Sequence, residues 1–461
     1  MQAKRNGDIS FWYADLGEIP APRPALPGAI AADVAIVGAG YTGLWTAYYL
    51  KKAKPSLRVV VIEREFAGFG ASGRNGGWLS GGFSWSREKY LKTSSRQGVT
   101  AMQKAMAGCV DEVIKVAEAE GIDADIRSVD NLTVATNPAQ LERALAEAET
   151  IRTWDVDPAR VELLDAAATR ARINVRNVLG GFVVHGQARV QPAKLVRGLA
   201  AAVERLGVPI YEQTTVTSIA KGEVTTDRGM VRAETIIRAT EGFTAGIPGE
   251  ERTWLALNSA QIVTEPLPAE LWRDIGWDGH ELLGNAAHAY CYAQRTREGR
   301  ITMGGRGVPY RYGSRTDVNG QTQQATIEQL HAILTSLLPQ TAGCRIEHAW
   351  CGVLGVPRDW CTTVGLDPKT RIGWAGGYVG LGVSSSNLSG RTLADLILGE
   401  DTELVRLPWV NRTVRRWEPE PLRWLGVHAM YQLYRIADRR EAAGLARTSR
   451  LAALADRITG H

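Results

Sequence analysis

The chain reads as an α/β protein with a parallel βαβ unit near its start, a β-rich middle and a helical C-terminal segment. Three stretches predict this. Residues 33–63, DVAIVGAGYTGLWTAYYLKKAKPSLRVVVIE, pass from an apolar run through a glycine turn and a helical pattern into a second apolar run that ends on an acid. Residues 68–82, GFGASGRNGGWLSGG, are too glycine-rich and irregular for helix or strand. Structureless loops of that length inside a compact domain are usually functional. Residues 372–398, IGWAGGYVGLGVSSSNLSGRTLADLIL, repeat the order strand, glycine turn, helix far along the chain.

The first stretch carries the chemistry. Gly38, Gly40 and Gly43 form GxGxxG directly after Val34–Val37. The spacing gives a tight turn at Gly38, close approach of a pyrophosphate at Gly40, and close helix–strand packing at Gly43. The helix that follows presents free N–H groups and partial positive charge to phosphate oxygens. Glu63 lies about 20 residues past the last glycine, where an acid accepts hydrogen bonds from both ribose hydroxyls and disfavours a phosphorylated ribose. The motif therefore predicts a bound dinucleotide that is not NADP.

The remaining elements follow in chain order. Pro20, Pro22, Pro24 and Pro27 make an extended lead-in, because proline cannot continue a helix. From about Arg87 to Glu120, apolar residues Val99, Met102, Met106, Val110, Val113 and Ala117 recur at helical spacing up to Gly121. Strands are expected at Asn131–Thr136 and Gly180–His185, and helices at Pro138–Trp154 and Pro192–Leu206. A β-rich region follows: 208–211, 214–219, 223–226, 231–239, 254–266, 289–295 and 300–305. Ala325–Leu338 is an amphipathic helix, Arg345–Leu354 and Arg371–Gly376 are strands, and Ser384–Leu398 is a helix with Ser384, Ser385 and Ser386 as candidate caps. From about Val405 the composition turns arginine-rich with Trp409, Trp417 and Trp424, and Leu422, Leu425, Ala429, Leu433 and Ile436 share one helical face.

Composition narrows the class. At 461 residues, with 44% hydrophobic and 22% charged residues, the chain has room for two or three domains. A formal net charge of +5 is small for this length and does not imply nucleic acid. The five cysteines, Cys109, Cys291, Cys344, Cys351 and Cys361, contain no CxxC pair, so neither a disulfide framework nor a structural metal site is expected. Residues 1–14 do not read as a signal peptide and no apolar run approaches a membrane span, so a cytoplasmic location is the expectation.

Three features favour FAD over NAD. The 68–82 loop follows the ribose acid directly. Residues 236–242, IIRATEG, run from an apolar strand into a small-residue turn that can lie against a dinucleotide. The late strand–turn–helix can aim a helix N-terminus at the flavin N1–C2=O edge, where it stabilises negative charge on the reduced ring. With VAIVGAGYTG at 34–43, GASGRNGG at 70–77, AQRTREGRITMGG at 293–305 and GGYVGLGVSSSNLSGRTLADLI at 376–397, the chain resembles the D-amino-acid oxidase superfamily of FAD-dependent oxidoreductases. It looks most like the γ-glutamylputrescine oxidase-like amine oxidases, with glycine and sarcosine oxidases more distant. The resemblance spans about 32–401.

The resemblance implies a Rossmann-like FAD-binding domain interleaved with an antiparallel-sheet substrate domain. The first would comprise 28–95, 186–255 and 346–403, the second 96–185 and 256–345, followed by a helical C-terminal extension at 404–461. It assigns Gly38, Gly40, Tyr41, Thr42 and Gly43 to the pyrophosphate, Glu63 to the adenosine ribose, and Arg64 and Val216 to the adenine. Ser72, Gly73, Arg74, Asn75, Gly76 and Gly77 would line the flavin. Thr240 would lie against the dinucleotide, and Gly377, Tyr378, Gly380 and Leu381 would pass the pyrimidine end of the ring. Many relatives carry histidine where this chain has Leu381, which leaves only backbone and helix-end roles there. Tyr292 matches an aromatic position near the substrate, and Tyr290 has the same strand parity; aromatic faces suit an amine. Arg306 is the candidate cation near the flavin, with Arg74, Arg295 and Arg311 as other candidates for a substrate carboxylate. His288 is a candidate proton relay. Cys351 lies near the position at which sarcosine oxidases attach FAD covalently; a non-covalent flavin is expected here.

The implied reaction is oxidation of a C–N bond in a small amine or amino acid. Hydride passes to flavin N5, the imine hydrolyses, and O2 reoxidises the flavin with release of hydrogen peroxide. Two alternatives stand beside it. One is a dehydrogenase that passes electrons to a quinone or carrier, motivated by an arginine- and tryptophan-rich tail that can lie on an anionic membrane surface; the favoured expectation is a tail that packs on the body. The other is a flavin-binding regulatory protein without turnover. Oligomeric state is not legible in the sequence.

Overall fold

The run Val34–Val37 and the run Val59–Ile62 are apolar without alternation, the pattern of strands covered on both faces. In the computed structural model, which describes residues 2–455 apart from 18, 20, 84–85, 155–156, 306–309, 317–318, 446 and 453–454, they lie at the centre of a parallel sheet. Strand Ile30–Val37 pairs with Val59–Ile62 in the register Val34↔Val59 to Val37↔Ile62, and on its other side with Gly229–Arg238. Ile372–Gly376 continues the parallel order beyond Gly229–Arg238, and Ile210–Tyr211 beyond Val59–Ile62. Thr363–Leu366 closes one edge antiparallel. The hairpin Val216–Ala220/Glu223–Thr226 folds back on Gly229–Arg238.

One face of this sheet is covered by helices Tyr41–Ala53, Pro192–Arg205 and Gly382–Leu398, whose Leu44, Trp45, Leu195, Leu199 and Leu388 join Val34, Ile36, Val59 and Val61 in one buried cluster. Helices 41–53 and 382–398 approach so closely that a Cβ on Gly390 would stand 2.6 Å from that of Trp45. The opposite face, through Ala35, Val37, Val60 and Ile62, packs with Leu26 and Val224.

The second sheet has ten strands among the described residues. Ile346–Val356, Leu255–Thr264, Ile301–Gly305, Cys291–Arg295 and Leu282–Asn285 pair antiparallel in that spatial order. Arg127–Ala135 joins parallel to Leu282–Asn285, and Gly180–Arg189 lies antiparallel beyond it. Trp78–Leu79 and Val161–Asp165 both pair with Gly180–Arg189. Helices Ala269–Ile275 and Gln324–Leu337 cover one face through Trp272, Ile275, Ile327, Leu330 and Leu334. Strand 346–356, which the sequence reading groups with the nucleotide-binding segments, is the longest strand of this sheet and lies near its edge, with the two-residue strand Arg5–Asn6 beyond it.

Several expected elements differ. The single helical stretch expected over 87–120 is three helices, Arg87–Leu91, Arg96–Ala107 and Cys109–Ala119. Ser95 starts the second, its hydroxyl accepting from Gly98 N–H at 3.1 Å; such local bonding favours a cap over a helix interior. The four-residue helix Phe11–Ala14, with Phe11, Trp12 and Tyr13 buried, had no signal in the sequence pattern. The C-terminal helix Leu422–Ala442 does pack on the body, but through Arg423, Val427, Tyr434, Ala437 and Glu441. The apolar row that shares one helical face in the sequence is turned mostly outward, with Leu422 61% and Leu425 52% exposed. The charges decide this: Arg423 bonds Glu420 and the carbonyl of Glu251, and Glu441 pairs with Arg143. Among the described residues no helix is long and apolar enough to cross a membrane.

Candidate active site

Between the two sheets lies a cavity walled by the first glycine turn, the 68–82 loop, the strand–turn at 239–243, and the late turn at 378–383. Gly38 turns the chain with φ +105°, where a Cβ would meet the carbonyl oxygen of Ala239 at 2.5 Å. Gly40 faces the cavity, and a Cβ there would sit 2.9 Å from Ser72 Oγ. That hydroxyl accepts the Tyr41 N–H at 2.8 Å, at the start of the helix. Gly43 stands behind the cavity; its Cβ would come within 2.0 Å of the Gly38 carbonyl, so its role is helix–strand packing.

Glu63 closes one end. Its carboxylate accepts from Ala39 N–H at 2.9 Å and from Glu65 N–H at 3.0 Å, which fixes its orientation, while burial pushes its pKa up. Arg64 lies over the ring of Phe243 at 5.3 Å and pairs with Glu65. Thr214, Thr215 and Val216 line the same end.

The loop 68–82 forms the middle of the wall. Ser72, Arg74, Asn75 and Gly76 face the cavity. Gly73 and Gly77 stand one layer back, where side chains would collide with Gly68 O and Tyr13, and with Gln294. Asn75 braces the loop by donating to Ala71 O and Ser72 O and accepting from Gly77 N–H. The Arg74 guanidinium is buried over the Phe69 ring and donates to Phe69 O at 2.7 Å. Thr240 lines the wall with its hydroxyl bonded to that of Thr244.

Tyr378, Gly380 and Leu381 line the late turn, and the Tyr378 hydroxyl bonds Thr42 Oγ1 at 2.8 Å. Gly377 is again one layer back, at φ +75°. Helix Gly382–Leu398 begins without a side-chain cap. None of the three candidate caps, Ser384, Ser385 and Ser386, caps it, and Ser384 instead donates to Ser80 O at 2.6 Å. Its first N–H groups are thus left for a ligand, since Gly382 and Val383 line the cavity.

At the far end Tyr292 and Tyr290 come together, ring centroids 6.4 Å apart. Tyr292 bonds Ser259 Oγ at 3.0 Å, and burial raises its pKa. Trp78 meets Tyr292 edge-on at 6.1 Å. Ser259 and Gln261 were missed by the sequence reading, although they are polar residues two apart in the strand LALNSAQIVT and so share a face. Gln261 donates to Arg74 O at 2.6 Å, while its Oε1 is buried without a partner. Glu241 was missed too; its carboxylate accepts from Gly377 N–H at 2.9 Å and Gly355 N–H at 3.2 Å.

Other candidates lie elsewhere. Arg306 falls outside the described residues. Arg295 is away from the cavity, stacked on Trp272 at 3.9 Å and bonded to Trp277 O, and Arg311 does not line the cavity. His288 bonds Glu441 instead of facing the site. Cys351 points to the opposite side of its strand, into the core with Ile262 and Ile346, with Sγ donating to Gln321 O at 3.2 Å. It is not placed to bond a flavin in this cavity.

The residues present fit a dinucleotide: a glycine face that a Cβ would fill, two helix N-termini, an oriented acid and an orphaned amide oxygen at the aromatic end. A dinucleotide cradle that opens between two glycine turns would hold a flavin, as in a flavin-dependent oxidoreductase. Residues 33–396 match the DAO family, described as FAD dependent oxidoreductase, and the chain belongs to that family. It is similar to the gamma-glutamylputrescine oxidoreductase of Escherichia coli (strain K12), 29% identical over 405 residues, 85% of this chain and 89% of that protein. Among solved structures, glycine oxidase from Geobacillus kaustophilus superposes with a TM-score of 0.69 at 20% identity, over 83% of this chain and 99% of the other. L-proline dehydrogenase from P. horikoshii superposes at 0.67 and 17% identity, over 83% and 96%. These two show the shared fold. FAD is the cofactor, and the protein is an enzyme.

Proposed function

We propose that this enzyme oxidises the C–N bond of a small amine, with O2 as the final acceptor. The observation that carries the reading is the aromatic end of the cavity, where Tyr290, Tyr292 and Trp78 gather around Ser259 and Gln261. Bound FAD supplies the two-electron acceptor at N5 and, by reaction with O2, hydrogen peroxide. The chain supplies position and polarity. Aromatic faces hold the amine and displace water from it. Tyr292, whose raised pKa keeps it protonated, offers a neutral hydroxyl oriented by Ser259. The substrate C–H bond breaks with its electron pair leaving alongside the hydrogen, the nitrogen lone pair forms C=N, and water then splits the imine into a carbonyl compound and an amine.

The same end supports an amine over an α-amino acid. Among the described residues that line the cavity the arginines are Arg64 and Arg74. Arg64 belongs to the Glu63 end, and Arg74 is fastened to Phe69 O, so neither is presented to a carboxylate beside Tyr290 and Tyr292. The E. coli relative is named for gamma-glutamylputrescine, whose putrescine-end amine lies far from its carboxylate, and oxidation at that amine fits this distribution.

Anaerobic mixing of the FAD-loaded protein with a panel of amines and α-amino acids tests the reading. The expected result is bleaching by gamma-glutamylputrescine or a related amine, a carbonyl product by mass, and peroxide on admission of O2. Bleaching by α-amino acids alone overturns the amine assignment. Reoxidation by a quinone but not by O2 overturns the oxidase assignment.

A further inference from the structure

We propose that Asp438 and Glu441, on the C-terminal helix, are positioning residues that set Tyr290 at the mouth of the active site. The inference rests on the placement of Tyr290 at the substrate end. Residues 286–290 join strands Leu282–Asn285 and Cys291–Arg295, and Asn285 Oδ1 accepts the Cys291 N–H at 3.0 Å to pinch the base of this connection. Above that pinch the grip comes from distant sequence. Asp438 takes both N–H groups immediately before Tyr290: Oδ1 accepts from His288 and Oδ2 from Ala289, each at 2.9 Å. Glu441, almost fully buried, bonds His288 Nε2 at 2.9 Å. The His288 ring stacks on Tyr434 of the same helix at 5.9 Å and 22°. Arg143 completes the clamp, donating to Ala286 O at 2.9 Å and to Glu441 Oε2 at 2.8 Å.

Two consecutive N–H groups bound by one carboxylate fix the backbone just ahead of Tyr290. Tyr290 itself is 40% exposed, lines the cavity, and reaches across to the late turn, its hydroxyl 3.4 Å from where a Cβ of Gly380 would be. A ring that reaches across a cavity mouth from a short turn keeps its aim only if the turn is held. The helix thus links the 404–461 extension to substrate binding without touching substrate. His288, Asp438 and Glu441 also stand close enough to share a metal ion, but Arg143 and the two N–H groups already occupy the carboxylates.

The test uses the FAD-loaded full chain with gamma-glutamylputrescine. Asp438→Ala is expected to raise KM about 10-fold with kcat within about 3-fold and FAD content unchanged, and Asp438→Asn, which keeps one acceptor, to fall between. In a Tyr290→Ala background, Asp438→Ala should change KM by less than about 2-fold, because the two changes act through one ring. Hydrogen exchange at His288, Ala289 and Tyr290 should accelerate in Asp438→Ala. Additive effects on KM, or faster exchange with KM unchanged, overturn the positioning role. A Tyr290→Ala enzyme with unaltered KM instead defeats the placement of Tyr290 at the substrate. If no amine bleaches the flavin, the substrate reading has failed, and exchange at Tyr290 decides alone: no acceleration there overturns the anchoring, and acceleration supports it.

Discussion

The Glu241 carboxylate accepts the Gly377 N–H at 2.9 Å, joining two turns that lie 136 residues apart in sequence. Its other oxygen accepts from Gly355 in the second sheet, so one side chain ties the late turn, the nucleotide-binding strand and the substrate sheet together. Burial pushes its pKa from 4.5 up to about 7, against the pull of those backbone donors. The sign follows. Below pH 4.5 the carboxyl is neutral folded and unfolded; between 4.5 and about 7 the unfolded chain ionises first, so stability falls as pH rises through that window. The loss is on the order of 2 kcal/mol, discounted for the part of the carboxyl that faces the cavity. Glu241→Gln should flatten this slope in urea melts of the apoprotein from pH 4.5 to 7.5. Parallel curves for the two proteins would refute the assignment.

Substitutions at Gly40 and Gly43 are expected to separate cofactor binding from folding. At Gly40 an added Cβ meets the Ser72 hydroxyl at the surface of the cradle, and at Gly43 it meets backbone. Gly40→Ala should fold while its FAD Kd rises at least about 10-fold, some 1.4 kcal/mol, measured by flavin fluorescence titration. Gly43→Ala should lower the melting temperature of the apoprotein itself. Equal loss of stability in both would show that Gly40 is only a packing residue.

The parallel unit was legible because its physics is local: GxGxxG fixes a turn, and apolar runs on each side fix buried strands. Helix Pro138–Trp154 was legible at both ends, with proline at its first position and apolar spacing beyond. What was not legible depends on distant partners. Glu241 looks like an acid in a solvated turn until Gly355 and Gly377 supply its donors. The C-terminal helix buries Arg423 and Glu441 beside Val427, Tyr434 and Ala437 because Glu420 and Arg143 partner the two charges, and this turns Leu422 and Leu425 outward. Ser259 and Gln261 were within reach, since strand parity alone groups them.

Tyr292 is held on both sides by glycines. A Cβ at Gly76 or at Gly304 would strike its ring at 2.6 or 2.2 Å. Tyr292→Phe keeps the ring and loses the 3.0 Å bond to Ser259; it should raise KM for the amine several-fold, about 1 kcal/mol, and leave FAD affinity alone. Gly304→Ala, which displaces the ring, should do more harm than Tyr292→Phe. The reverse order, by steady-state kinetics on both variants, would mean that ring position is immaterial.

Cys351 faces the core, not the cavity. Acid precipitation of the holoprotein should therefore leave a colourless pellet and a yellow supernatant, and Cys351→Ser should retain full FAD content. A yellow pellet that becomes colourless in the Cys351→Ser variant would reverse this conclusion.

The N-terminal aromatic segment braces the 68–82 loop from behind. Trp12 Nε1 donates to Asn75 O at 2.7 Å, Ser10 Oγ donates to Gly73 O at 2.7 Å, and the carbonyl of Trp12 is held by Gln191 at 2.8 Å. Trp12 also packs edge-on against Trp350, centroids 6.0 Å apart. Two effects can be separated by size. Trp12→Phe keeps most of the packing but orphans the Asn75 carbonyl, costing about 1–3 kcal/mol, and the damage falls on the loop that Asn75 organises. Trp12→Ala adds a core cavity, for a total of about 3–5 kcal/mol. The expected outcome is that Trp12→Phe weakens FAD binding several-fold with a small drop in apoprotein melting temperature, while Trp12→Ala lowers both sharply. If Trp12→Phe loses melting temperature yet binds FAD as tightly as the parent, the segment only fills the core, and the loop keeps its shape through Asn75's own bonds to Ala71, Ser72 and Gly77.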